Sequence, residues 1–208
     1  MFILLSTAYF PNIQYFSKLE NYNNVVIEQH ENYVKKTFRN RCEISGANGK
    51  LSLSVPIEKS KEKLKITQVK IDYSENWQKN HLKAIEAAYG LSPFYEFYID
   101  DLKTLFENKY KYLFQLNSDI LNSVFNLIGI KKQLKFTDNF IEIDEQNKYD
   151  LRFSLHPKKH MQTQDNEFVA NRYIQTFSNK FEFIPNLSIL DLIFNLGPES
   201  LEYLHKTV

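Results

Sequence analysis

Phe2-Ile3-Leu4-Leu5 is a short continuous apolar run, the pattern of a strand buried on both faces. Ser6 to Asn12 reads as a loop. Ile13, Phe16 and Leu19 then recur at helical spacing, with Gln14, Lys18 and Glu20 opposite. Val25-Val26-Ile27 is a second apolar run, so the chain opens as a β-loop-α-β unit with parallel strands. Arg41 to Ile44 and Leu51 to Val55 flank Gly46-Ala47-Asn48-Gly49, where Asn-Gly predicts a hairpin. Ile66, Val69 and Ile71 start a further strand.

The middle of the chain changes period. Ser74 is the expected N-cap of a helix over 75–89, which carries Trp77, His81, Ile85 and Ala88 on one face. Ser92-Pro93 opens a second helix with Phe94, Phe97, Tyr98, Leu102, Leu105 and Phe106 as its apolar face. Residues 112–128 form a third, closed by Gly129. Residues 135–143 hold a short strand, and 148–166 are polar and aperiodic, the expected long loop. Ser188 to Asp191 has the spacing of a capping box ahead of an apolar helix that ends at Gly197-Pro198, and a short helix over 199–205 follows. The fold class is therefore α/β, a single domain with a mixed β-sheet, an N-terminal β-loop-α-β unit and a helical middle and C-terminal part.

Composition narrows the class of protein. With only Gly 5 and Pro 6 in 208 residues, the chain is neither disordered nor a turn-rich β fold, and no linker divides it. Tyr 13 and Phe 17 supply large buried areas and hydroxyls that need partners. Lys+Arg 26 against Asp+Glu 25 leaves no bulk field, so anion binding has to come from a local cluster. Cys42 is the sole cysteine, which excludes an internal disulfide. The apolar opening run is too short for a signal or a membrane span, so a cytoplasmic protein is expected.

The local cluster is Gln29 to Arg41. Lys35, Lys36, Arg39 and Arg41 lie together, and if the segment is extended Arg39 and Arg41 share a face and can hold a carboxylate or phosphate. The plainer reading is a solvated strand edge guarded by lysine. His30 stands between Glu28 and Glu31, where a carboxylate could fix its tautomer for general-base work; an exposed structural histidine fits the same pattern. Tyr9, Pro11 and Tyr33 sit in loops at the carboxyl ends of the first two strands, where α/β folds bind ligands. Gln175 and Asp191 are further substrate-binding candidates at the borders of apolar segments, although capping alone accounts for Asp191. His156 and His160 are spaced i, i+4 but have no third ligand nearby, so no metal is expected. His81 reads as a satisfied core histidine and Cys42 as a poor nucleophile. Phosphate-loop, dinucleotide, serine-elbow and zinc-protease motifs are absent.

Several elements in order resemble the WbqC-like family: Thr7 to Pro11 with Tyr15-Phe16, the Gln-His-Glu around His30, Arg39-Asn40-Arg41, and Leu53 to Pro56. Ile71 to Trp77 through His81 and Pro185 to Asn195 with Gly197-Pro198 complete the set. Ser6-Thr7 stands where many relatives carry Gln-Pro. The resemblance implies one domain over residues 1–208 and a place in O-antigen-type surface polysaccharide assembly. It further implies transfer of an aminoacyl group, glycine in the family's proposed role, to an amino sugar or its nucleotide. In that reading His30 is the base, and Arg39, Asn40 and Arg41 hold the substrate. The partners it implies are a sugar nucleotide or aminoacyl donor, with aminoacyl-tRNA as one such donor; it names no cofactor or protein partner. The β-loop-α-β layout also resembles ATP-dependent nucleotidyl-transfer enzymes, but residues 11–15 lack their histidines. A non-catalytic protein binding a sugar nucleotide or an assembly partner is the third reading.

Overall fold

The computed structural model describes residues 2–142, 149–158, 165 and 167–207. Strand β1 (Ile3–Ser6) leads through a loop to helix α1 (Ile13–Asn21) and strand β2 (Val25–Glu28), and β1 and β2 pair in parallel from Ile3↔Val25 to Ser6↔Glu28. Asn12 caps α1, its Oδ1 accepting from the Tyr15 amide at 3.0 Å.

Both edges of this pair are occupied by chain from far away in sequence. Leu4 bridges Asp150 in parallel on one side, and Ile27 bridges Phe136 in parallel on the other. All these rows run the same way, so their carboxyl ends collect at one rim.

Strands β3 (Arg41–Gly46) and β4 (Gly49–Ser54) form the expected hairpin, closed through Ala47-Asn48 with Gly49 at φ +98°, where a side chain would be strained. Parallel and antiparallel pairings are thus both present, divided between two small sheets. Helices α2 (Trp77–Tyr89), α3 (Tyr95–Glu107), α4 (Leu113–Ile128), α5 (Ile189–Leu196) and α6 (Ser200–His205) complete the fold. Every α5 residue from Ile189 to Asn195 is buried, so this helix is central to the core.

Five local expectations are corrected. Ile66 and Val69 lie in a 3-10 turn rather than a strand, because their spacing of three stacks both on one side of such a turn, where they are fully buried. Ser74 does not cap α2: the helix begins at Trp77, with Asn76 at the cap position, and Ser74 lies two residues earlier in an Asx turn, its amide donating to Asp72 Oδ1 at 2.8 Å. Phe97 is 75% exposed, since the buried stripe of α3 runs through Tyr95, Ile99, Leu102 and Leu105, and Phe97 falls on another side. The capping box is half formed: Ser188 Oγ accepts from Leu190, but the Ser188 amide goes to Glu43 O at 2.7 Å, leaving Asp191 nothing there to accept. The strand expected over 135–143 reduces to the bridge at Phe136. Much of the 148–166 loop falls outside the described residues.

Candidate functional site

The parallel rows end at Ser6 of β1, Glu28 of β2, Thr137 and Arg152, and this geometry gathers a polar network that sequence distance hides. Glu28 is fully buried. Its Oε1 accepts from Thr137 Oγ1 (2.8 Å) and the His30 amide (2.7 Å), and its Oε2 accepts from the Ile141 amide (2.9 Å) and Arg152 Nη1 (3.4 Å). Arg152 uses its remaining donors on Asp150 through Nε and Nη2 and on the carbonyls of Ile141 and Glu142. Burial alone would lower the Arg152 pKa, but Asp150, Glu28 and Glu31 raise it above the ordinary guanidinium value. A guanidinium with every donor satisfied inside the protein holds the rim together; it has nothing left for a ligand.

Arg39 differs. Its Nε and Nη2 fork onto Glu31 at 2.8 and 2.5 Å, and Nη2 also reaches Ser6 Oγ at 2.6 Å. Phe153 lies 5.3 Å from the guanidinium carbon, covering one face. Above this network a small cleft opens. Its polar lining includes Ser6, Thr7, Asn12 and Arg39, and its apolar wall includes Leu5, Ala8, Pro11, Leu151 and Leu155. Phe10, in the loop forming this wall, has φ +37°, a left-handed conformation rare for a bulky residue and held by buried packing of its ring on Phe106.

Of the residues singled out from sequence, Pro11 and Arg39 line the cleft. Tyr9 is fully buried instead, its hydroxyl donating to His81 Nδ1 at 2.8 Å. Tyr33 is half-buried beside Arg39 and Arg41, whose charges oppose the rise that burial imposes on its phenol. Asn40 donates from Nδ2 to Val55 O at 2.8 Å and locks the base of the hairpin.

Arg41 bonds Ser54 Oγ along the hairpin, so the paired Arg39–Arg41 fork does not form. The premise of an extended segment fails, since 35–40 is a run of turns with Lys36 at φ +61°. His30 is outside the cleft lining. Its Nε2 faces Thr137 O at 3.1 Å, and because a carbonyl can only accept, Nε2 carries the proton and Nδ1 is the basic nitrogen. The flanking carboxylates are engaged with Thr137, Arg152 and Arg39, so a backbone carbonyl sets the tautomer that a carboxylate was expected to set.

Gln175 and Asp191 belong to a separate buried cluster. Asp191 Oδ2 accepts from Tyr173 Oη (2.5 Å) and Gln175 Nε2 (2.9 Å), and burial raises its pKa despite those bonds. His156 Nδ1 accepts from the Lys158 amide, and His160 lies outside the described residues. Among the described residues no group of three His, Cys, Asp or Glu is placed to hold a metal, and no helix is long and apolar enough to cross a membrane. Burial pushes the Cys42 thiol pKa up, in keeping with an inert core cysteine. Sequence reasoning did not single out Ser6, Thr7, Asn12 or Arg152 as site residues and named Glu31 only as a partner for His30. Thr7 lies in a family element, and Asn12 carried the signal of its position ahead of a helix; Arg152 carried none.

His81 gives a pH test of this packing. Burial lowers its pKa to about 4, against a smaller opposing effect of a hydrogen bond to the Ser54 backbone. The folded value is below the unfolded one, so the stability tied to neutral His81 is complete above about pH 6.5 and is lost as pH falls towards 4. The full loss amounts to about 3 kcal/mol. Urea unfolding of His81→Gln across that window is expected to show a flatter pH dependence than wild type; parallel curves would remove His81 from the effect.

The WbqC-like protein family matches residues 7–175, a span that covers both cleft loops and the segment around Arg152. The chain is also 24% identical over 233 aligned positions to the uncharacterised protein Rv1507c of Mycobacterium tuberculosis, covering 97% of this chain and 96% of that protein. No solved structure matches it. With more than half of its length matched, the chain belongs to the WbqC-like protein family.

Proposed function

We propose that this chain is a transferase of surface polysaccharide assembly that attaches an aminoacyl group, glycyl being the smallest, to an amino sugar or its nucleotide-activated form. The observation that carries this reading is the cleft at the carboxyl ends of parallel β1 and β2, where a buried arginine, a threonine and an asparagine meet an apolar wall. In such a reaction the sugar nitrogen attacks the carbonyl carbon of an aminoacyl ester. The C–N bond forms, the ester C–O bond breaks, a base takes the amine proton and the donor leaves as its alcohol. Nδ1 of His30 is the candidate base. Tyr33 and Arg41 remain candidate substrate contacts outside the cleft lining.

ATP-dependent adenylation draws support from the same parallel strand layout. Against it, the first amides of α1 are already bonded, Ile13 to Leu187 O, Gln14 to Asn186 Oδ1 and Tyr15 to Asn12 Oδ1, so the helix start has no free donors for phosphates. Thermal-shift screening of sugar nucleotides, ATP and aminoacyl donors is expected to find stabilisation by an amino-sugar ligand. Mass spectrometry of a reconstituted mixture with aminoacyl-tRNA should then detect the aminoacylated sugar, with a loss of at least about tenfold in His30→Ala. Pyrophosphate release from ATP and an acid would instead favour adenylation. Tight sugar binding without turnover by any donor would favour a binding protein.

A further inference from the structure

Charge is unevenly divided along the chain. Residues 33–65 contain nine Lys or Arg against three Glu, a net +6 in a chain of net +1, so the remainder carries −5. Tertiary pairing turns this basic segment back on itself. Asn32 bridges Lys65 in antiparallel register, the Tyr33 amide donates to Leu64 O at 2.9 Å and the Ile66 amide to Glu31 O at 2.9 Å, so the turns after Tyr33 and the loop before Leu64 leave the bridge side by side. Lys35 and Lys36 stand on the first, Lys61, Lys63 and Lys65 on the second; all five are exposed, and none forms an ion pair with a described residue. The other cations nearby are spent: Arg39 on Glu31, Lys50 on Glu43, and Lys59 acts on Asp72. Glu58 faces Lys70 at 3.8 Å, which leaves Glu62 of this loop against the five lysines.

Lys65 ties this patch to His30. Its Nζ donates to the His30 carbonyl at 2.8 Å, keeping two further N–H donors, and lies 5.7 Å from the centre of the Phe140 ring, which is 39% exposed. Magnitudes decide what such a surface holds. One exposed lysine gains little from one anion, because water and salt screen the pair. A small phosphate that meets one or two of them is held weakly, whereas a polyanion that meets all five releases its condensed counterions and gains with every contact. An anionic membrane or an acidic protein supplies charge but no planar bases for Phe140 and the half-buried Tyr33. Single-stranded RNA supplies phosphate and base in alternation, which suits lysines interleaved with rings.

We infer that the paired loops carrying Lys35, Lys36, Lys61, Lys63 and Lys65 are a docking surface for RNA. Resting on the transferase reading, this identifies the donor as an aminoacyl-tRNA, whose single-stranded end passes Lys65 and brings its ester towards His30. Lysines meet phosphates without reading sequence, so the surface holds any tRNA and leaves choice of the amino acid to the groups around the ester.

The test uses the full chain and a fluorescently labelled, deacylated glycine-tRNA transcript, read by anisotropy between about 50 and 200 mM salt. Binding is expected, with log affinity falling against log salt at a slope of about −3 to −4, the value for five contacts on a single strand. Lys35→Glu with Lys36→Glu, and Lys61→Glu with Lys63→Glu, should each weaken binding at least about tenfold and flatten the slope by about 1–2. Lys79→Glu with Lys83→Glu, exposed on α2 outside both loops, changes net charge equally and should leave affinity within about twofold. Phe140→Ala should cost about fivefold or more with the slope unchanged. Absence of RNA binding, or equal losses in the α2 control, would overturn the surface. Displacement of the RNA by polyglutamate would reassign it to an acidic protein, and displacement by vesicles of equal phosphatidylcholine and phosphatidylglycerol to a membrane; either overturns the RNA assignment. RNA binding without transfer to any amino sugar would keep the surface and sink the transferase. Transfer whose KM for aminoacyl-tRNA stays unmoved in both loop variants would do the reverse.

Discussion

Arg152→Met is expected to destabilise the protein by about 3–5 kcal/mol, a large share of the roughly 5–15 kcal/mol that a domain has in total. The side chain of Arg152 is completely buried and bonds Asp150, Glu28 and two backbone carbonyls from the segment ahead of it. Its loss leaves two buried carboxylates without their cation. Urea unfolding followed through Trp77, the single tryptophan, measures this directly. A small deficit would mean that packing rather than charge pairing holds the rim. A loss confined to local structure would leave the Trp77 transition unchanged and would appear instead as reduced ligand binding.

The Arg39–Glu31 pair should behave differently in single and double variants. Both side chains are about 3% exposed and they meet at 2.5 Å. Arg39→Met or Glu31→Met alone strands a charge in the interior and is expected to cost about 3–5 kcal/mol. The double variant removes both charges at once and should come back to within about 1–2 kcal/mol of wild type. Function separates from stability at this point. The restored double variant still lacks the guanidinium that lines the cleft, so stabilisation by a sugar ligand should stay absent. Additive losses in the double variant would show that the pair is not energetically coupled. Ligand stabilisation that survives in the double variant would remove Arg39 from the site.

Much of the local architecture is readable from residue order because it depends on neighbours a few positions apart. Apolar runs with no polar alternation placed β1 and β2, Asn48-Gly49 placed the hairpin turn, and steps of three or four placed the buried faces of α2 and α4. Turn chemistry was the weaker guide: Asp72 captured the Ser74 amide, and a spacing of three at Ile66 and Val69 folded as a tight turn. Membership of the WbqC-like family was also legible, because its motifs keep their order along the chain.

The candidate site was not legible to the same degree. Arg39 was singled out for its charge, yet in the fold two of its nitrogens are absorbed by Glu31. Arg152 and Thr137 sit in segments without periodicity and reach the rim only because their backbones bridge β1 and β2 across more than a hundred residues. Sequence by itself determined β1, β2, the hairpin, the helices and most of their buried faces, since those choices follow from local propensity and burial. Which polar groups are spent on one another, and which remain for a ligand, was decided by tertiary structure alone, because hydrogen-bond saturation is a property of neighbours in space.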